Sequence, residues 1–158
     1  MPIILRNPFQ AILLLSIVII GFVLFAEHVQ HYAPCELCLR ERLPWYFLIG
    51  LSLIGLVFPS RWLLVLIGVV LLVSAGLGLH HAGVELHWWP GPAECTSGSS
   101  GAKTIDELKA MLLKEKTVQC DEIAWKFLGL SMAAYNALVS LIAGVTILIF
   151  AARHRHAA

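Results

Sequence analysis

The sequence predicts an all-α membrane protein: a four-transmembrane-helix bundle with a short amphipathic helix in its second outer loop. Three observations carry that prediction. The 158 residues are 59% hydrophobic and 13% charged, against ~45–50% and ~25% in soluble domains, and the mean hydropathy is +0.82. The apolar residues gather in four runs, each close to the ~17–25 residues a helix needs to cross a bilayer. The runs are apolar all round, without the period-2 alternation of a barrel strand. The length suits one domain over 1–158. The net charge is +1, and no basic patch invites nucleic acid.

The first span covers 9–26. Arg6 precedes it as in a secretory signal, but the run exceeds the ~7–15 residues of a signal core, and Glu27-His28 stands where small cleavage-site residues belong. A retained span is expected. The second, 43–58, is the shortest and borrows its opening turn from Cys38–Arg42. The third covers 62–79 and the fourth 127–150. The fourth carries Gly129, Ala133 and Ala137 at i+4 spacing, with Asn136, Ser140 and Gly144 on a neighbouring track, and the third carries Ser74 and Gly78. Small residues of this kind let helices approach closely in lipid, and Asn136 is expected to make an interhelical hydrogen bond.

Four crossings put both termini and the Arg61 turn on one side, and the loops 27–42 and 80–126 on the other. Arg6, Arg61, Arg153 and Arg155 then lie inside, as the positive-inside rule prefers, with Arg40 and Arg42 as exceptions. Every cysteine falls outside, where disulfides persist. In the long loop, Trp88 and Trp89 read as interfacial anchors, and Ser97–Gly101 as a flexible stretch. Thr104 to Glu107 forms a capping box. Behind it Ile105, Leu108, Met111 and Leu112 share one face of a helix that lies in the interface or packs on the bundle.

The four cysteines occupy the two outer loops: Cys35-Glu36-Leu37-Cys38 in the first, Cys95 and Cys120 in the second. Cysteines at this spacing close a strained, readily exchanged disulfide. A helix start at Cys38 and the Arg42 cation one turn along favour the thiolate, which Glu36 opposes. Arg42, at the lipid boundary, needs a partner, and a thiolate or a polar ligand head group suits it. The arrangement suggests a relay from an outside protein thiol through the loop pair to the Cys-x-x-Cys pair, and on to a lipid-soluble acceptor such as a quinone. Two readings compete. His28, His31, Cys35 and Cys38 have spacings suited to a metal, and two structural disulfides in a non-catalytic tetraspan protein would use the same four cysteines. His80 and His81 end the third span level with the Cys pair.

Three motifs resemble the bacterial DsbB family: Pro34-Cys35-Glu36-Leu37-Cys38 with Arg42 four residues on, Trp89-Pro90-Gly91-Pro92-Ala93-Glu94-Cys95, and Val118-Gln119-Cys120-Asp121-Glu122 continuing through Trp125 and 127–133 to Tyr135-Asn136. The resemblance spans nearly the whole chain apart from its termini and the middle of the long loop. Vitamin K epoxide reductase-like proteins share the bundle and the motif, but their active pair comes late in the bundle, whereas here it follows the first span. The resemblance implies an inner-membrane enzyme, termini cytoplasmic and Cys-bearing loops periplasmic. Such an enzyme reoxidises a DsbA-like thioredoxin-fold oxidase and passes the electrons to ubiquinone or menaquinone. It implies that Cys95 takes the attack of the partner thiol, that Cys120 is released to exchange with Cys35, and that Cys38 is left as a thiolate beside the quinone. Arg42 would hold the quinone and stabilise that charge. A family histidine near the outer end of the third helix also contacts quinone; His81 matches it, with His80 as the alternative. No metal is expected.

Overall fold

The computed structural model describes residues 2–92, 120–123 and 125–153, with side chains from Asn7 onward. The order is α1 (Pro2–His28), α2 (Glu36–Val57), α3 (Arg61–Glu85), a two-stranded antiparallel hairpin of β1 (Lys126–Phe127) and β2 (Leu130–Ser131), and α4 (Met132–Arg153). The loop helix expected from Thr104, and Cys95 with it, lie outside the described residues.

Among the described residues, three helices are long and apolar enough to cross a membrane: Asn7–His28, Arg61–Glu85 and Met132–Arg153. Helix α2 differs because Glu36, Arg40, Glu41 and Arg42 crowd its first two turns, so only the part from Leu43 is apolar. Cys35 is its N-cap, in extended conformation with its sulfur accepting from the Cys38 backbone N–H. That hydrogen bond satisfies one of the free donors of the first turn. Pro44 sits inside α2, where it removes one backbone bond and is tolerated because neighbouring helices enclose it.

The helices pack in sequence order, α1 on α2, α2 on α3 and, most extensively, α3 on α4. A core of Phe9, Ile12, Trp45, Leu48, Leu64, Ile67, Leu71 and Ile147 joins all four. Large apolar side chains such as Phe47, Phe58, Trp62 and Ile142 point outward, as lipid-facing positions do. Small residues permit the tightest crossing. A Cβ on Gly78 would stand 2.8 Å from the Ala137 nitrogen and 2.9 Å from the Ala133 oxygen. Nearby, the Ser140 hydroxyl donates to Ser74 Oγ at 3.1 Å.

Several helix ends differ from the sequence reading: α1 begins at Pro2, and α2 begins at Glu36 with Cys35, not Cys38, at its start. Two further differences concern α3 and α4. The fourth helix does not open at Phe127. Leu128 (φ 47°) and Gly129 (φ 84°) make the left-handed turn of the hairpin, and Ser131 Oγ then accepts the Ala134 N–H at 3.2 Å, capping α4. Gly129 therefore belongs to a turn and not to the packing track of Ala133 and Ala137. The third helix runs past Leu79 to Glu85. Its last turn is held by Trp89, which folds back to donate from Nε1 to the His80 carbonyl at 2.9 Å. The Trp89 ring also covers Gly83, where it occupies the place a Cβ would take. Trp89 thus serves as a tertiary cap as well as an end-of-span aromatic.

Candidate active site

At the end of the bundle where α2 begins and α3 ends, Cys35, Leu37, Val84 and Cys120 form a second buried cluster, with Cys38 packed against it. Cys35 and Cys120 are both buried and Cys38 is half-buried; all three are unbridged. The sequence reading placed Cys120 in the second outer loop, and the residue is buried in the same apolar cluster as Cys35.

His81 approaches from α3. Its Nε2 lies 3.6 Å from Cys35 Sγ, and its Nδ1 pairs with Glu41 Oε1 at 2.5 Å. Glu41 is buried, and its second oxygen accepts from Asn136 Nδ2 at 2.7 Å. Asn136 Oδ1 in turn accepts from Trp45 Nε1 at 2.9 Å. One hydrogen-bonded line therefore runs from α2 through α4 and α3 to the Cys35 sulfur. A buried carboxylate is costly unless both oxygens are satisfied, which this line achieves. Asn136 makes the interhelical bonds expected of it.

The two candidate histidines are placed differently. His81 is 4% exposed and reaches the sulfur, while His80 stacks on the Trp89 ring outside the site. His28 bonds the Leu24 carbonyl on its own helix and is exposed, as is His31. The metal set imagined from His28 and His31 is therefore not assembled.

Arg42 has a different partner from those expected. Its Nη1 donates to Glu27 Oε2 at 2.6 Å, joining α1 to α2. The carboxylate that argued against signal cleavage is thus the residue that settles the arginine. Arg42 Nε is buried with no hydrogen-bond partner among the described residues.

The thiol pair is electrostatically uneven. The hydrogen bond from Cys35 lowers Cys38 to about 7, overcoming the opposite push of burial. The same bond, with burial adding to it, pushes Cys35 far up. One proton is shared between two sulfurs, and Cys38 is the sulfur that carries the charge.

Cys38, Glu41, Arg42 and His81 line one wall of a cavity of about 420 Å³. Aliphatic and aromatic groups of α1 and α4 line the rest, including Phe22 and Trp45. Trp125 leans over it from the segment before the hairpin, stacked on Phe127 and edge-on to Phe22. The size, the apolar walls and a few converging polar groups are those of a small-molecule site. Glu41 and Glu85 were not singled out from sequence, and Glu27 was read only as evidence against signal cleavage. The only signal for them was a charge inside or beside an apolar run, which is costly without a partner.

Comparison with known proteins bears on this geometry. The family model described as Disulfide bond formation protein DsbB matches residues 5–150. The Disulfide bond formation protein B of Vibrio parahaemolyticus is 35% identical over 143 residues, covering 84% of this chain and 78% of its own. That of Pasteurella multocida is 30% identical, covering 75% and 74%. An uncharacterized protein of Rickettsia prowazekii is 33% identical, covering 80% and 76%.

Proposed function

Since this chain belongs to the DsbB family of membrane disulfide-forming proteins, we propose that it is a thiol:quinone oxidoreductase that makes disulfides for a DsbA-like partner. The observation that carries this reading is the position of Cys38: at one edge of an apolar cavity, with Cys35 beside it and Cys120 buried behind Cys35. All of 1–158 acts as one membrane domain. Helix α2 is its fourth crossing, entering lipid at Leu43, with the cysteine-bearing loops periplasmic and the termini cytoplasmic.

The residues fit a quinone. The walls suit a flat ring with an apolar tail, and the buried Arg42 Nε is a donor without an acceptor among the described residues. Arg42 would hold a ring oxygen through its buried Nε, with His81 lining the same cavity, and ubiquinone and menaquinone both satisfy the chemistry. A bound quinone supplies an acceptor for two electrons and two protons.

The chain's own residues perform the thiol chemistry. The partner thiolate attacks Cys95 of a Cys95–Cys120 disulfide, and Cys120 leaves. Cys120 then attacks Cys35 of a Cys35–Cys38 disulfide, and Cys38 leaves as a thiolate, the better leaving group because its proton is the more weakly held. The partner's second thiol then displaces Cys95, and Cys95 displaces Cys35 from Cys120, so that one partner dithiol is oxidised, the Cys95–Cys120 bond is restored, and the Cys35–Cys38 pair is left reduced, holding two electrons and two protons at the cavity edge. Glu41 fixes His81 so that its Nε2 faces the sulfurs, a position from which it moves a proton off the thiol pair.

Two variants test the reading. Cys95→Ser should lose reaction with the reduced partner while Cys35 and Cys38 still form a bond. Cys38→Ser should still form a mixed disulfide with the partner but leave quinone oxidised. A protein with purely structural disulfides would show neither loss.

A further inference from the structure

We infer that the reduced Cys35–Cys38 pair, with His81, is a binding site for one thiophilic divalent cation of the zinc type, and that the ion holds the relay in its reduced state. The consequence for the relay rests on the function proposed above; the site itself does not.

Sγ of Cys35, Sγ of Cys38 and one ring nitrogen of His81 all lie within 4.8 Å of one another. Zinc takes thiolate sulfur at about 2.3 Å and imidazole nitrogen at about 2.0–2.1 Å in tetrahedral geometry, which sets sulfur and nitrogen about 3.6 Å apart. The Cys35 Sγ to His81 Nε2 distance is 3.6 Å. That pair is already spaced as two ligands of one ion.

The histidine is also prepared for the task. Its Nδ1 is bound to Glu41 at 2.5 Å, which places the proton on that nitrogen and turns the Nε2 lone pair toward the sulfurs. A carboxylate behind a ligating imidazole fixes its tautomer and raises its basicity. Glu41 is fixed in turn by Asn136. For the fourth position, Glu85 Oε1 lies 4.0 Å from His81 Nε2, and the adjoining cavity supplies room for water.

Binding displaces the thiol protons, and no electrons move. Because both sulfurs are occupied, the ion and the Cys35–Cys38 disulfide exclude each other. The metal-loaded chain is therefore closed to exchange with Cys120 until a chelator removes the ion.

Cobalt(II) titration of full-length, quinone-free protein in detergent, reduced and kept anaerobic, tests this by absorption spectroscopy. The expected result is one equivalent bound with the intense visible bands of a tetrahedral site and thiolate-to-cobalt charge transfer. The same chain oxidised across Cys35 and Cys38 should show neither, a control that needs no substitution. A chain with Cys95→Ser and Cys120→Ser should keep the bands. His81→Ala should lose the tetrahedral pattern, and Glu41→Gln should weaken binding roughly 10–100-fold. Bands that persist in oxidised protein, vanish without the loop cysteines, or are unmoved by His81→Ala would overturn the site. Metal-free quinone reduction is measured separately. Its failure beside intact cobalt binding would sink the proposed function and leave the site standing, and zinc-loaded protein that still turned over would remove the regulatory consequence.

Discussion

Cys120 is fully buried in the same apolar cluster as Cys35, although the two cysteines belong to different loops. Thiol–disulfide exchange needs sulfur to reach sulfur, and a shared apolar cluster meets that need without a large loop movement. A chain with Cys38→Ser and Cys95→Ser should therefore close a Cys35–Cys120 disulfide under a mild chemical oxidant. Peptide mapping after alkylation reads the result. Two thiols that both remain open to alkylation would contradict the proximity.

The uneven thiol pair predicts a pH profile. The thiolate is the reactive form, and Cys38 is lowered to about 7 while Cys35 is raised. Alkylation of the reduced protein should begin at Cys38 and rise with pH to half its maximum near pH 7. The hydrogen bond from Cys35 is the largest cause of the lowered value. Cys35→Ala should accordingly move the midpoint upward, slowing Cys38 labelling at neutral pH. A midpoint unchanged by that substitution would place the cause elsewhere.

Much of the fold was legible because lipid imposes a simple rule: runs of apolar residues must be helices. The centres of all four helices follow from it. Their ends do not, because the rule weakens at the interface. Gly129 reads as a packing notch by spacing, but the polar loop before it and the Ser131 cap start α4 later. His80 and His81 read as the end of a span, yet Trp89 and Glu41 each supply a partner that lets α3 continue. At the site, the cysteines and Arg42 were visible because their residue types carry chemistry at recognisable spacing. Glu27 and Glu41 were not, since a carboxylate in a helix announces nothing until the partner from another helix is known.

Gly78 tests how α3 and α4 meet. A methyl group there faces backbone atoms of Ala133 and Ala137 that have no side-chain freedom with which to yield. Gly78→Ala should destabilise the bundle by about 1–3 kcal/mol through overpacking. Gly76 lies on the same helix with nothing within 4 Å of a Cβ, so Gly76→Ala should be neutral or slightly stabilising. Unfolding in mixed micelles of increasing denaturing-detergent content compares the two. Equal losses would mean that the close approach is not a determinant of stability.

Arg42 and Glu27 form the remaining test, because the ion pair and the proposed ligand draw on one guanidinium. Nη1 is committed to Glu27 at 2.6 Å while Nε lacks an acceptor among the described residues. A planar guanidinium has enough donors to serve both at once, so the carboxylate acts as a positioning residue that aims the arginine without consuming it. Arg42→Gln removes a charge-assisted hydrogen bond worth about 1.5–3 kcal/mol, and should raise KM for quinone roughly 10–100-fold. Glu27→Gln keeps a hydrogen-bonding side chain of the same length and loses only the charge, so it should raise KM less, with kcat nearly unchanged. If Glu27→Gln instead lowered KM, the pair would be restraining Arg42 from the ligand, and Glu27 would be a competitor for the arginine.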